Sequence, residues 1–193
     1  MDGRTLILEN VSKHIALAEE EKEYFLSLLQ TKNYRKKAYL QREGNPCNHF
    51  TFITSGCVKS YLMDPKGEEH ILTIAPADWW VVDYMSFVFE KPGTLFIEAI
   101  EDTTALILTK ENRDLLFKKI PPFEHYFRTL TERAFAVSQE RVTDILSLTA
   151  AQRFEKFQQR YARIAASLTQ QQIASFIGVT PAFFSRMLKA KRK

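Results

Sequence analysis

At 193 residues, 45% apolar and 26% charged, the chain can carry a sizeable core in one large domain or two small ones. No apolar run approaches membrane-spanning length and no basic-then-apolar leader opens the sequence, so the expectation is a cytoplasmic protein with no membrane partner. Two cysteines ten apart, Cys47 and Cys57, fit neither a disulfide framework nor a zinc site. They read as small buried hydrophobes, with a redox role only if exposed beside Lys or Arg.

Residues 1–36 read as helical. Ile15, Leu17, Tyr24, Phe25, Leu28 and Leu29 recur at helical spacing, with EEEKE as a solvent face. From Lys37 to Lys110 the texture changes to short β runs broken by Gly, Pro, Asn and Asp. Strands are predicted at Lys37–Leu40, His49–Thr54, Cys57–Met63, Glu69–Ile74, Leu95–Ala99 and Thr104–Leu108. Gly44, Gly56 and Gly67 are predicted positive-φ turn residues. Strands this short and this evenly spaced predict a β-sandwich, jelly roll or barrel.

Helical patterning returns at Glu111–Lys119, stops before Pro121-Pro122, and resumes from Phe123 to Ser147. In the long helix Phe127, Leu130, Ala134, Val137, Arg141, Asp144 and Leu148 repeat at alternating three and four. That is an a/d seam interrupted by Arg141 and Asp144. It can pack on the β domain or pair with a second copy. Leu148–Ala151 reads as a hinge, with Thr149 capping a helix Ala150–Ala166. Phe154, Phe157, Tyr161 and Ile164 face inward there, leaving Lys156, Arg160 and Arg163 for solvent or phosphate.

The stretch from Leu168 to Lys193 predicts two short helices about a tight turn. Thr169 N-caps the first, and Ile173, Ala174 and Ile177 share one face. Gly178 makes the turn. Thr180 and Pro181 open the second helix, whose inner face is Phe184, Met187 and Leu188. No Asp or Glu follows Glu155, and eight Lys or Arg lie from Lys156 onward. Against a whole-chain net of +4, those eight leave residues 1–155 at −4. A capped helix pair at the end that holds all the net positive charge is what phosphate neutralisation requires.

The order of features resembles the Crp/Fnr family of bacterial transcription regulators, from about Leu28 to Lys193. The segments REGNPCNHFTFITSGCVKSYLMDPKGEEHILTIAPADWW and LTQQQIASFIGVTPAFFSRMLKA carry the resemblance. Gly44, the Phe52-Ile53-x-x-Gly56 strand end and Gly67 are similar to that family's cyclic-nucleotide-binding-type β-roll. Asp78-Trp79-Trp80 is similar to its pocket-entering loop. The resemblance implies an α+β fold, with a double-stranded β-helix or jelly roll, a long dimerisation helix, and a C-terminal helix-turn-helix lacking the usual wing. Expected domains are 1–120 (sensor), 121–148 (dimerisation helix and hinge) and 149–193 (DNA-binding). Where cyclic-AMP-binding members carry Gly-Glu and Arg-Ser pairs, this chain has Val82-Asp83 and Gly93-Thr94. Asp83 can still accept from a ribose hydroxyl. No cation stands near Gly93 for a phosphate, so tight cyclic AMP or cyclic GMP binding is not expected.

The expected function is therefore a non-enzymatic, homodimeric regulator reading a palindromic operator in double-stranded DNA. It needs no cofactor or metal, its small-molecule effector is unspecified, and RNA polymerase is a further implied partner. Arg186 is placed either on a guanine edge or on a phosphate. Ala182, Phe183 and Ser185 are placed on base edges. Thr169, Gln170, Thr180 and Pro181 sit at the two helix starts, the first two as backbone-positioning groups. Lys189, Lys191, Arg192 and Lys193 are placed on phosphates. Trp79, Trp80, Asp83, Tyr84, Gly93 and Thr94 are the candidate effector pocket, although the aromatics also suit ordinary core. Phe127, Leu130, Ala134, Val137 and Arg141 are the candidate dimer seam. The competing classes are a regulatory subunit acting through protein contacts and a cupin-like metal enzyme. The lone His49 and His70, with no His-x-His, speak against the second.

Overall fold

The run Ala105-Leu106-Ile107-Leu108 is apolar at every position, which a strand accommodates only when both its faces are covered. In the computed structural model, which describes residues 2–190, this run lies in β8 (Thr103–Thr109) and is wholly buried. Ala105 and Ile107 turn to one side, with Ile53, Val58, Ala75, Val81 and Ile97. Leu106 and Leu108 turn to the other, against a helical layer.

Strand β8 sits in a four-stranded sheet with β1 (Gln30–Tyr34), β3 (His49–Ser55) and β6 (Trp79–Val81), in the order β1-β8-β3-β6. A second four-stranded sheet has β2 (Tyr39–Gln41), β7 (Phe96–Ala99), β4 (Cys57–Met63) and β5 (Glu69–Pro76) in that order. The β1–β8, β3–β8, β3–β6 and β2–β7 pairs are antiparallel. The helical layer is α1 (Gly3–Ser12), α2 (Glu19–Ser27), α4 (Lys110–Lys119) and the first turns of α5 (Pro122–Ser147). Phe25, Phe52, Phe123 and Tyr126 are fully buried in it. Each such side chain contributes roughly 1.5–3 kcal/mol by leaving water. The C-terminal helices are α6 (Ala150–Arg160), a 3₁₀ turn (Ala165–Ser167), α7 (Gln170–Ile177) and α8 (Pro181–Ala190).

The α+β class and every expected strand are present, with Gly44, Gly56 and Gly67 at φ of 82°, 83° and 81°. Three local expectations are corrected, and one unassigned stretch is a helix. Residues 30–34 are a strand rather than helix, because QTKNY has no apolar helical face and its backbone pairs with β8, Gln30 opposite Ile107. Trp79–Val81 form β6 rather than an open loop. This strand follows a left-handed turn at Asp78 (φ 70°) that Asn10 and Lys13 hold from α1. Residues 84–89 form a short helix, α3 (Tyr84–Phe89), capped by Asp83. Helix α6 ends at Arg160, and Tyr161 is buried against Phe157 and Phe176 instead of continuing it.

The chain divides into two compact units, Met1–Ser60 with Ile74–Glu132 and Tyr61–Thr73 with Arg133–Lys193. The tip of the β4–β5 hairpin thus groups with the C-terminal helices.

One polar chain runs through the helical layer. Trp80 Nε1 donates to the Tyr126 hydroxyl at 2.8 Å, and that hydroxyl donates to Asn10 Oδ1 at 2.6 Å. Asn10 Nδ2 in turn donates to Asp78 Oδ1 at 2.7 Å. Burial pushes the Tyr126 phenol well above its ordinary value, so it remains a donor at any working pH. Tyr126→Phe leaves the Trp80 N–H and Asn10 carbonyl unpaired in the core. The expected cost is about 2 kcal/mol, read by denaturant unfolding with the Trp fluorescence changed in the folded state.

Candidate nucleic-acid interface

Helix α7 begins on a capping box. Thr169 Oγ1 accepts from Gln172 N at 3.2 Å while Gln172 Oε1 accepts from Thr169 N at 2.9 Å. Ile173, Ala174 and Ile177 are buried, and the helix stops at Gly178, whose φ of 71° suits glycine. Thr180 Oγ1 then accepts from Phe183 N at 3.2 Å and Pro181 opens α8. Phe184 is the buried anchor of α8, edge-on to Phe154 at 5.0 Å. That arrangement leaves Pro181, Ala182, Phe183, Arg186 and Lys189 exposed and Ser185 half-buried. Phe183 is 45% exposed, an apolar ring standing in water one turn before Arg186. Gln170 is exposed at the start of α7. Lys191, Arg192 and Lys193 lie outside the described residues.

Two cations expected to be free are not. Lys156 Nζ lies 2.7 Å from Asp144 and 3.1 Å from Glu140, and Arg160 lies 3.8 Å from Glu140. They tie α6 to α5. The carboxylates of α5 hold Lys156 protonated by raising its pKa, first through the Asp144 hydrogen bond.

The C-terminus of α7 uses residues that patterning did not assign to it. Val179 N donates to Ala174 O at 3.0 Å and Gly178 N to Ser175 O at 3.1 Å. The remaining two end carbonyls take arginines: Arg141 Nη2 donates to Phe176 O at 2.7 Å, and Arg153 Nε to Ile177 O at 2.8 Å. Arg153 also donates to Leu148 O at 2.7 Å, at the end of α5. The only sequence signal for Arg141 is its misfit in the apolar seam.

The residues of the expected seam have different surroundings. Phe127 is buried among Phe50, Trp80, Phe117 and Tyr126, and Leu130, half-buried, packs against the same core. Arg141 is engaged as described. Ala134 and Val137 are exposed. The unspent apolar positions of α5 are Phe135 (63% exposed), Val142, Ile145 and Leu146 (82% exposed).

The six candidate effector residues do not converge on one cavity. Trp79 and Trp80 fall on opposite faces of β6, the first against the roll interior and the second in the helical layer. Asp83 is fully buried. Its carboxylate accepts from the backbone amides of Ser86 (3.2 Å), Thr94 (3.1 Å) and Leu95 (3.3 Å), which replaces the expected ribose contact. At Gly93 an added Cβ would lie 2.9 Å from both Asn45 O and Asp83 Oδ2, so the loop closes on itself there. Tyr84 instead borders an open cavity of about 460 Å³, with Phe50, Phe87, Phe117 and Arg113.

Among the described residues one cluster has ligand atoms within 4.8 Å of one another, namely Asp64, Glu68 and His70 on the β4–β5 turn. His70 Nε2 is 3.1 Å from Asp64 Oδ2, and Asp64 Oδ1 accepts from the amides of Lys66 and Glu68. The cluster could hold a divalent cation only at the surface. Cys47 and Cys57 are buried, and burial pushes the Cys57 thiol up to about 12.

Removing the Asp83 carboxylate strands three amides at once. Asp83→Ala is expected to cost about 3 kcal/mol in denaturant unfolding, with part of that recovered by acetate, whose carboxylate can reoccupy the gap.

Residues 31–119 match the family described as the cyclic nucleotide-binding domain. The chain is 23% identical over 190 residues to the "Anaerobic regulatory protein" of Pasteurella multocida, covering 92% of this chain and 68% of that protein. It is 23% identical over 185 residues to "Regulatory protein HlyX" of Actinobacillus pleuropneumoniae, covering 89% and 76%. Its fold is similar to that of the c-di-GMP responsive global regulator CLP of Xanthomonas campestris, with a TM-score of 0.73 at 14% identity over 91% of this chain and 92% of that one. A β-roll that matches the cyclic nucleotide-binding domain, followed in the same chain by a capped helix pair, makes the chain similar to these regulatory proteins over most of its length.

Proposed function

We propose that the protein binds double-stranded DNA as a homodimer and reads a palindromic operator with the exposed face of α8. The observation that carries this reading is the state of α8. It is anchored by Phe184 and opened by Thr180 and Pro181, yet Ala182, Phe183, Arg186 and Lys189 are left in water. A helix held that firmly while exposing a phenyl ring and two cations suits a major groove, where thymine methyls, guanine edges and phosphates meet such groups. No acid after Glu155 opposes the approach of a phosphate backbone.

The dimer seam in this reading is Phe135, Ser138, Val142 and Ile145, which repeat at three and four along α5, with Leu146 beside them. Ala134 flanks it. The closed loop at Asp83 and Gly93 disfavours a cyclic phosphate as effector, since the amides that could receive an anion already hold a carboxylate. The reading is of a regulator whose effector is of another kind or which needs none. RNA polymerase is the further partner that a transcription regulator implies.

Arg186→Ala tests the base-reading role by fluorescence anisotropy on operator and scrambled duplexes across a salt series. A guanine contact predicts about a tenfold loss for the operator and little for the scramble. Equal losses on both, with a shallower salt slope, assign Arg186 to phosphate instead. The seam is tested by sedimentation. Val142→Glu buries a charge in the proposed interface and is expected to yield a folded monomer where the wild type is dimeric. An unchanged dimer would remove α5 as the interface.

A further inference from the structure

Strand β5 is the last strand of its sheet, so one of its edges has no strand partner among the described residues. That edge is closed by side chains from the C-terminal helices. Ser175 Oγ, on α7, donates to Glu69 O at 2.6 Å and accepts from Ile71 N at 2.9 Å, as a neighbouring strand would. Arg141 Nη2 donates to Ile71 O at 2.6 Å, and Nη1 donates to Leu72 O. The same Nη2 reaches Phe176 O at 2.7 Å, and the guanidinium lies 4.1 Å above the Phe176 ring. One planar fork on α5 thus holds β5 and α7 together, and no carboxylate pairs with it in this set of contacts. Lysine, with a single ammonium, cannot reproduce that fork.

We infer that Arg141 is a positioning residue that fixes the first helix of the helix-turn-helix to the β4–β5 hairpin, so that the placement of the hairpin sets the placement of α7 and α8. Its consequence for operator selectivity rests on the DNA-binding reading above. The hairpin is otherwise a poor candidate for such a role, since its turn is exposed and polar. Arg141 and Ser175 give it one, because between them they engage Glu69 O, Ile71 N and Ile71 O along one edge. Phe176 adds a second grip, with its ring also packed on Phe157 and Tyr161 at 5.5 and 5.3 Å.

The test follows amide exchange at Ile71 in the full chain, together with affinity for a palindromic duplex selected on the wild type and for its scramble. Arg141→Lys and Ser175→Ala are each expected to speed Ile71 exchange about tenfold and to lower the operator-to-scramble ratio about tenfold. The double variant should lose less than the product of the two, because both act through one strand edge. Unchanged exchange in Arg141→Lys overturns the proposal, as does faster exchange with an unchanged ratio. Val81→Ala, in the roll core, serves as a destabilised control and is expected to keep the ratio. If it loses the ratio equally, the effect is general destabilisation and the proposal falls. A wild type with no duplex selectivity would instead sink the DNA reading, while exchange at Ile71 would still decide whether Arg141 holds hairpin and helix together.

Discussion

A helix that ends inside a protein leaves four carbonyls to be satisfied, and at the end of α7 those four fix the geometry of everything after it. Two are closed locally, by the amides of Gly178 and Val179 in the left-handed turn. The other two, Phe176 O and Ile177 O, are closed by Arg141 from α5 and Arg153 from α6. Guanidinium groups suit this position twice over, as forked donors and as positive charge at the negative end of the helix dipole. The turn into α8 is therefore held to α5 and α6 as well as shaped by its own glycine. An exposed recognition surface can be precise only if the helix carrying it does not rotate, and these contacts supply that restraint.

The roll solves a different problem with the same economy. The amides of Thr94 and Leu95 and of Ser86 in the first turn of α3 need an acceptor, and the buried Asp83 carboxylate provides it from within the chain. A buried carboxylate is tolerable here because it receives several backbone donors. Its presence also occupies the Thr94 and Leu95 amides of that loop. The roll keeps the architecture of its family while its own side chain occupies the polar centre of the loop.

Much of this was legible in the residues. The strands announced themselves by short apolar runs between Gly and Pro turns, and the helix-turn-helix by Thr169, Gly178, Thr180 and Pro181, each of which has a local job that sequence alone exposes. Strand β1 was hidden because QTKNY is polar and becomes a strand only through pairing with β8. The apolar repeat of α5 is ambiguous for a related reason. A three-four repeat identifies an apolar face but not which of two apolar surfaces it meets, and Phe127 and Leu130 spend that face on the core. Arg153 was invisible as a positioning group and Arg141 showed only as a misfit in an apolar seam, since a carbonyl acceptor leaves no mark in the sequence. Lys156 and Arg160 looked free because their partners, Glu140 and Asp144, lie more than ten residues away on another helix.

In the proposed function two copies of α8 face successive major grooves, carried by a symmetric dimer about α5. Selection of bound duplexes from a random library tests this most directly, because the protein itself reports the geometry of what it reads. The expected result is enrichment of an inverted repeat whose half-site centres lie about one helical turn, roughly 34 Å, apart. Enrichment of a single unpaired motif, or recovery of the library without any sequence preference, would contradict it.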